Sequence, residues 1–144
     1  MIINGLVCYP IKKRREQSLY QVNGIPFETY EEFLIAELLF KMAIDFRHHL
    51  EIKFEDGPDE FGKKQEYLWR PDFVFTQPFR WIGKPCNGSV IIGIEAKRKH
   101  IKGKPLKKSR LLCNHYGIPI LLLNGDNLES YSQKGALPLM RLAS

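Results

Sequence analysis

The chain has 144 residues and a formal net charge of +6, with 44% hydrophobic and 26% charged residues. This composition is typical of a soluble globular protein, and the length suits one domain with a sizeable core. No apolar run approaches the roughly 18 to 20 residues that a membrane-spanning helix needs, so we expect no membrane contact. The three cysteines are widely spaced, which argues against a disulfide framework and against a zinc site. A cytoplasmic, nucleoid-associated protein with reduced, buried thiols is the expectation.

Residues 1–28 are predicted to form an amino-terminal arm or hairpin, because Asn23-Gly24 separates two short runs of alternating apolar residues. A helix is predicted next, with Thr29 as its N-cap and Glu32 completing a capping box. Apolar residues cover most of the circumference of this helix, so we expect it to be buried on several sides. "HLEIKFED" then alternates as a half-buried strand does.

Two further strands are predicted in the middle of the chain. "YLWRPDFVF" and "SVIIGIEAK" are rich in aromatic or β-branched residues, and the connection between them, "TQPFRWIGKPCNG", contains many Pro and Gly residues. A packed tryptophan and a tryptophan exposed for binding are equally compatible with this connection.

The last third of the chain is predicted to hold a short helix, "KKSRLLCNHYG", and a fully buried strand, "IPILLLNGD". The tail, residues 126–144, is expected to add one more short element. Together the elements predict a single α/β domain with a mixed central β-sheet flanked by helices.

Three polar residues of the middle strands carry the functional prediction. Asp72 lies early in the first strand, and Glu95 and Lys97 lie late in the second. If the strands pair antiparallel, these ends meet at the sheet edge away from the connection. Glu95 and Lys97 share one face by alternation, and the other face takes Val90, Ile92, Ile94 and Ala96. Two carboxylates supply the oxygen ligands that Mg²⁺ prefers, and an ammonium group beside them can orient or activate water.

The same short patterns occur a second time in the chain, in a different context. Glu51 and Lys53 repeat the ExK spacing without an aspartate on a paired strand upstream, so they are interpreted as the polar face of a strand. Pro58-Asp59 repeats the Pro-Asp pair within an acidic loop. The set that begins at Asp72 differs from both because predicted strands hold its two halves.

"RPDF" at 70–73, followed by "IEAK" at 94–97, resembles the core motif of the PD-(D/E)xK nuclease superfamily, the restriction-endonuclease-like fold. The predicted order of elements also agrees with that family over roughly residues 28–125, which would be the catalytic core. The resemblance implies that Asp72 and Glu95 bind Mg²⁺, with Mn²⁺ as a substitute, and that Lys97 assists the attacking water. The hairpin before a "T-x-x-E" helix is loosely similar to the transposon (TnsA-like) catalytic domain.

The resemblance also implies a carboxylate from the first helix, and Glu32 is the preferred candidate. Glu37 is the competitor, and because it lies about 140° further around the helix, the two cannot both face one site. A glutamate in a capping box needs no catalytic reason, so the choice stays open.

Residues 98–110, "RKHIKGKPLKKSR", hold seven Lys or Arg and no acidic residue directly after the predicted site. We expect its cations to make sequence-independent, salt-sensitive contacts to phosphates. The candidates are Lys99, Lys102, Lys104, Lys107, Lys108 and Arg110. In the family, a basic or amide residue on the following helix supports the site, a place that Lys107 or Lys108 could fill.

The function predicted from the sequence is that of a Mg²⁺-dependent DNA endonuclease, of the restriction, homing, resolvase or transposon-end type. A homodimer or larger assembly is expected, because one site cuts one strand. The alternative is a non-catalytic, basic nucleic-acid-binding module with the same fold. The sequence does not exclude RNA as the substrate.

Overall fold

The computed structural model describes residues 2–3, 6–10, 20–48, 50–55, 60–62, 66–84, 87–96 and 120–142. The described elements are β1 Ile2–Ile3, β2 Leu6–Pro10, β3 Tyr20–Val22, β4 Ile25–Phe27, α1 Tyr30–Lys41, β5 Phe46–Arg47, β6 Leu50–Glu55, β7 Glu66–Trp69, β8 Phe73–Trp81, β9 Val90–Ala96, β10 Ile120–Leu123, α2 Gly125–Lys134 and β11 Leu139–Arg141. They form a mixed α/β fold. The helix predicted over "KKSRLLCNHYG" lies outside the described residues.

The central sheet has five strands, and its longest strand, β8, pairs with three neighbours. β9 pairs antiparallel with β8 and parallel with β10, so the sheet is mixed, as predicted. β5 pairs with the first half of β8 and β11 with its second half, both antiparallel. The predicted antiparallel pairing of the aspartate strand with the ExK strand is therefore confirmed.

The prediction of one continuous strand over "YLWRPDFVF" is wrong. The segment is divided into β7 and β8, which belong to different sheets, and the chain crosses between the sheets at Arg70, Pro71 and Asp72. Pro71 lacks a backbone N–H and cannot donate to a strand ladder, which suits it to this crossing. Asp72 consequently lies immediately before β8 rather than inside a strand.

The connection predicted over "TQPFRWIGKPCNG" is also shorter than expected, because its first half continues β8 to Trp81. Phe79 and Trp81 are fully buried, and this burial holds the segment on the sheet despite Pro78. The register between β8 and β9 shifts between Val74 and Phe79, an irregularity of the kind in which proline is tolerated within a sheet. Trp81 is therefore a packed core residue.

Different layers cover the two faces of the central sheet. On the face that carries Phe73 and Ile94, both described helices contribute to the main hydrophobic core. On the other face, Val74 packs against a smaller cluster supplied by the second sheet, whose strand order is β1-β2-β6-β7. The partners of Val74 in that cluster are Ile3, Cys8, Leu50 and Ile52.

The predicted amino-terminal hairpin and first helix are both present. Asn23 and Gly24 have positive φ angles of 50° and 79°, which a tight turn between β3 and β4 requires, and Asn and Gly tolerate them best. At the start of α1, Thr29 accepts a hydrogen bond from the Glu32 backbone N–H, and Glu32 accepts one from the Thr29 backbone N–H. This is the capping box predicted from the sequence. One side of the helix is fully buried through Leu34, Ile35, Ala36, Leu38 and Leu39.

The carboxyl-terminal segment contributes more than the single short element expected. Asn124 caps α2 by accepting a hydrogen bond from the Asn127 backbone N–H, and Gly135 ends the helix with a left-handed φ of 77°. Leu128 and Tyr131 lie three residues apart and bury the inner side of α2 against the main core. β11 then pairs with the far end of β8.

Cys8 is fully buried, and this burial raises the pKa of its thiol above the ordinary value. The expectation of a buried thiol is therefore confirmed at Cys8, while Cys86 and Cys113 lie outside the described residues. In the described part of the chain, neither helix has the length and apolar character needed to cross a membrane.

Candidate functional site

Asp72 is joined by a hydrogen bond to the end of β9. The backbone N–H of Ala96 donates to Oδ2 of Asp72 at 2.7 Å. Phe73 is paired with Ile94, so in an antiparallel ladder Asp72 and Glu95 occupy the next opposing positions. The structure thus brings these two predicted site residues to the same edge of the central sheet.

Glu95 lies on a central strand, where it is only 6% exposed. Its neighbour on β10 is Leu122, and β9 and β10 end together because Leu123 pairs with Ala96. Among the described residues, Glu95 is the one charged side chain in the buried class. Burying a carboxylate costs free energy that a packing role alone does not recover, because an apolar residue would pack there without desolvation.

The face on which Glu95 lies follows from its neighbours. Ile94 belongs to the main core and Ala96 packs against it, which places both on the side of the helices. By alternation Glu95 faces the other side of the sheet, the side on which Val74 contacts the second sheet. The wider alternation predicted from the sequence is wrong, since Ile91 rather than Ile92 joins Ile94 in the main core. The register shift between β8 and β9 lies in the same part of the ladder, between the pairs that contain Gly93 and Ile91.

Glu32 makes its described contacts within the capping box. Its Oε2 accepts hydrogen bonds from both the backbone N–H and the side-chain hydroxyl of Thr29, each at 3.0 Å. α1 packs on the helical side of the sheet, opposite to the face assigned to Glu95. Glu37, the competing residue, is exposed. The described contacts bring neither glutamate to Asp72.

Paired substitutions distinguish a capping role of Glu32 from a catalytic one. Glu32→Gln keeps an oxygen acceptor for Thr29, so its free energy of unfolding should change by less than about 0.5 kcal/mol, whereas Thr29→Ala should lose about 1 kcal/mol. Urea unfolding measures both values. If Glu32 serves the site, Glu32→Gln loses nuclease activity without losing stability, and Glu37→Gln keeps that activity. The reverse pattern would assign the site to Glu37.

Lys97 follows Ala96 directly in the sequence and lies outside the described residues, as do the six candidate phosphate-binding cations. These cations are Lys99, Lys102, Lys104, Lys107, Lys108 and Arg110. Their predicted roles stay predictions.

The donor set at this edge suits a hard divalent cation. Asp72 and Glu95 supply carboxylate oxygens, and proteins that bind Mg²⁺ together with a phosphate substrate use one or two carboxylates. Within the described ranges, no group of three or more His, Cys, Asp and Glu side chains is placed to hold a metal ion.

Sequence reasoning missed a second charged pair close to this edge. Nε of Arg70 donates to Oε2 of Glu51 at 3.1 Å, which links the crossing segment to β6. In the sequence, Arg70 is part of the "RPDF" motif, and Glu51 belongs to the polar face of a strand. Their cross-strand relation depends on the pairing of β6 with β7, which local patterns do not give.

A cleft of about 550 Å³ lies elsewhere, between α2 and the connection that leaves β8. Lys84, Tyr131 and Lys134 are among its lining residues, and neither Asp72 nor Glu95 belongs to it. The hydroxyl of Tyr131 donates to the Lys84 carbonyl at 2.7 Å and closes its inner end. The candidate site, at the edge of the central sheet, is therefore separate from this cleft.

Comparison with protein-family models, with curated proteins and with solved structures gives no match.

Proposed function

We propose that the chain is a Mg²⁺-dependent endonuclease that hydrolyses phosphodiester bonds in DNA, built on a restriction-endonuclease-like core. The observation that carries the proposal is the meeting of Asp72 and Glu95 at one sheet edge, through the antiparallel pairing of β8 with β9. Two carboxylates separated by 22 residues of sequence reach this edge together, one at the start of a strand and one at the buried end of its partner.

Each residue of the proposed site has a distinct task. The Ala96 N–H fixes the carboxylate of Asp72 against β9, and the central sheet fixes Glu95, so the two oxygen donors are held by rigid elements. Asp72 and Glu95 would hold Mg²⁺, which when bound supplies positive charge beside the phosphate under attack. Lys97, the last residue of the "IEAK" motif, would orient the attacking water and, as the neutral amine, accept its proton at Nζ to become the ammonium.

The net charge of +6 and the uninterrupted basic stretch at 98–110 support a polyanionic substrate. Phosphate contacts of this kind do not depend on base sequence, and they weaken steeply with salt. A double-strand break requires two such sites, so we propose a homodimer or larger assembly for that reaction. A nucleoid-associated location in the cytoplasm would follow from this substrate.

The first experiment is incubation of the protein with supercoiled plasmid and with a branched duplex, with and without Mg²⁺. Wild type should nick or linearise DNA only with metal, and Lys97→Ala should reduce the rate by about 10² to 10⁴-fold. Lys53→Ala is the matched control, because Lys53 ends the second ExK pattern of the chain, and it should cleave as wild type does. Parallel assays with RNA decide which nucleic acid is preferred.

Absence of cleavage with Mg²⁺ and Mn²⁺, together with salt-sensitive binding, would overturn the nuclease proposal. The alternative function would then hold, a non-catalytic module that binds nucleic acid through the same fold. That alternative predicts that Lys97→Ala affects binding no more than any other loss of one positive charge.

A further inference from the structure

Arg70 is held in place although most of its side chain is exposed. Its Nε donates to Oε2 of Glu51 at 3.1 Å, and 67% of the Arg70 side chain remains exposed against 19% for Glu51. The structure gives the Arg70 guanidinium no second partner among the described residues. Since arginine has five N–H donors, the bond through Nε leaves both η nitrogens available to another acceptor.

Strand pairing and a short connection fix where the backbone of Arg70 lies relative to Asp72. Trp69 of β7 pairs with Ile52 of β6, so Arg70 and Glu51 are the next opposing residues of the same antiparallel ladder. A single buried residue, Pro71, separates Arg70 from Asp72. Two extended residues place the Cα atoms of Arg70 and Asp72 at most about 7 Å apart, and the proline ring fixes one of the intervening torsions.

This separation corresponds to neighbouring phosphates of a nucleic acid. Successive phosphates of one strand advance about 3.4 Å along a duplex axis, so two side chains whose Cα atoms lie within about 7 Å can contact phosphates one or two positions apart. A planar guanidinium with two η nitrogens matches the oxygens of a phosphate. An exposed ion pair contributes little to stability, so folding alone gives weak reason for holding Arg70 in this way.

We propose that Arg70 contacts a phosphate beside the scissile one and that Glu51 is the positioning residue that holds its guanidinium for this contact. The inference rests on the proposed function, because the scissile phosphate is defined by Asp72 and Glu95. It adds a substrate contact on the crossing between the two sheets, in the described part of the chain.

The test uses the full chain and a fluorescein-labelled DNA duplex in EDTA, where no cleavage occurs, with binding followed by fluorescence anisotropy. Arg70→Ala should weaken binding about tenfold at low salt and reduce the slope of log K against log salt by about one. Arg70→Lys should restore the slope but only part of the affinity, because a lysine cannot bond to Glu51 and also donate bidentately to a phosphate.

Arg80→Ala is the matched control. Nη1 of Arg80 also donates to a fixed acceptor, the Gly88 carbonyl, but Arg80 lies at the opposite end of β8. It pairs there with Val90, about 14 Å along β9 from Ile94, the partner of Phe73. Its effect on affinity should stay within about twofold. If Arg70→Ala and Arg70→Lys both bind as Arg80→Ala does, Arg70 makes no phosphate contact.

Glu51→Ala separates positioning from simple charge. If Glu51 has no positioning role, Glu51→Ala should strengthen DNA binding, because it removes a negative charge near the DNA. If Glu51 holds the Arg70 guanidinium in place, Glu51→Ala should weaken DNA binding about threefold. In the Arg70→Ala background, Glu51→Ala should no longer weaken binding, because nothing is left to position. Stronger binding by Glu51→Ala in the wild-type background would overturn the positioning role.

The two proposals fail in different ways. If the Arg70 variants change DNA binding as expected but wild type cleaves no DNA, the Arg70 contact is kept and the nuclease proposal is rejected. If wild type cleaves DNA but the Arg70 variants bind as wild type does, the nuclease proposal is kept and the Arg70 contact is rejected. A wild type without measurable salt-sensitive binding would overturn the Arg70 contact directly.

Discussion

Glu95→Gln is expected to lower the rate of the proposed metal-dependent cleavage by at least about 10³-fold, because loss of one of the two proposed charged metal ligands would remove several kcal/mol of transition-state stabilisation. Glutamine has nearly the same shape, so the packing of this buried position on β9 is kept. Binding of DNA in EDTA should be at least as strong as that of wild type, since phosphate contacts come from cations and the substitution removes a negative charge. The measurements are single-turnover cleavage of a labelled duplex and anisotropy titration of the same duplex.

Asp72→Asn should behave like Glu95→Gln, because its amide oxygen can still accept from the Ala96 N–H while the charge is lost. Asp59→Asn is the matched control, since Asp59 belongs to the second Pro-Asp pair of the chain. It should cleave at the wild-type rate. Calorimetric titration of each variant with Mg²⁺ in the presence of duplex measures metal binding, which does not depend on turnover.

A different outcome at Glu95 would be equally informative. If Glu95→Gln cleaves as wild type does while Asp72→Asn does not, the metal is held from the crossing segment and the buried carboxylate is structural. If neither substitution affects cleavage, the edge of the central sheet is not the active site.

The parts of the fold that the sequence predicts are those fixed by local chemistry. The capping box at Thr29 and Glu32, the Asn23-Gly24 turn and the buried strand β10 each depend on a few neighbouring residues, and all are present. The pairing of β8 with β9 was also predictable, because both strands are strongly apolar and are joined by a connection that can turn.

The errors arise where tertiary contacts override local signals. Pro78 and the surrounding polar residues predict a loop, yet burial of Phe79 and Trp81 extends β8 through it. Pro71 and Asp72 look like strand residues from their apolar neighbours, but they connect two sheets. In both cases the deciding interactions come from residues distant in sequence.

The candidate site likewise has parts that local sequence predicts and parts that depend on tertiary contacts. Asp72 and Glu95 could be named from their motifs, since β8 begins directly after Asp72 and β9 ends one residue after Glu95. The Ala96 N–H that holds Asp72 could not, because a backbone donor carries no residue signature. The role of Glu32 likewise depends on which face of the sheet α1 covers, and helical periodicity alone does not specify that.

Gly93 lies on β9 close to the site and pairs with Val74 on one side and Ile120 on the other. A Cβ at this position would overlap the backbone carbonyl oxygen of Phe73 and lie 2.7 Å from Cδ1 of Ile120. The side chain of isoleucine can move to relieve such a contact, but the carbonyl is fixed in β8. A larger residue at Gly93 therefore has to separate the two strands that bring Asp72 to Glu95.

Gly93→Ala is accordingly expected to lower the free energy of unfolding by about 2 to 4 kcal/mol, the range for forced overpacking with a backbone shift. Gly24→Ala, which has a positive φ of 79° but no atom within 4 Å of the added Cβ, should lose only about 1 kcal/mol. Urea unfolding of both variants measures the difference.

A double variant identifies which contact is responsible. Ile120→Val removes the Cδ1 atom that the added Cβ would meet. The double variant Gly93→Ala, Ile120→Val should therefore recover, relative to Gly93→Ala, at most the part of the lost free energy of unfolding that comes from this side-chain contact. Full recovery would contradict the backbone overlap. Because Phe73 directly follows Asp72 in the chain, the folded fraction of Gly93→Ala should also cleave more slowly than wild type when both are assayed at a temperature where each is folded. If the folded Gly93→Ala variant cleaves at the wild-type rate, the position of Asp72 tolerates separation of β8 from β9. The hydrogen bond from the Ala96 N–H, rather than strand packing, would then set the geometry of the site.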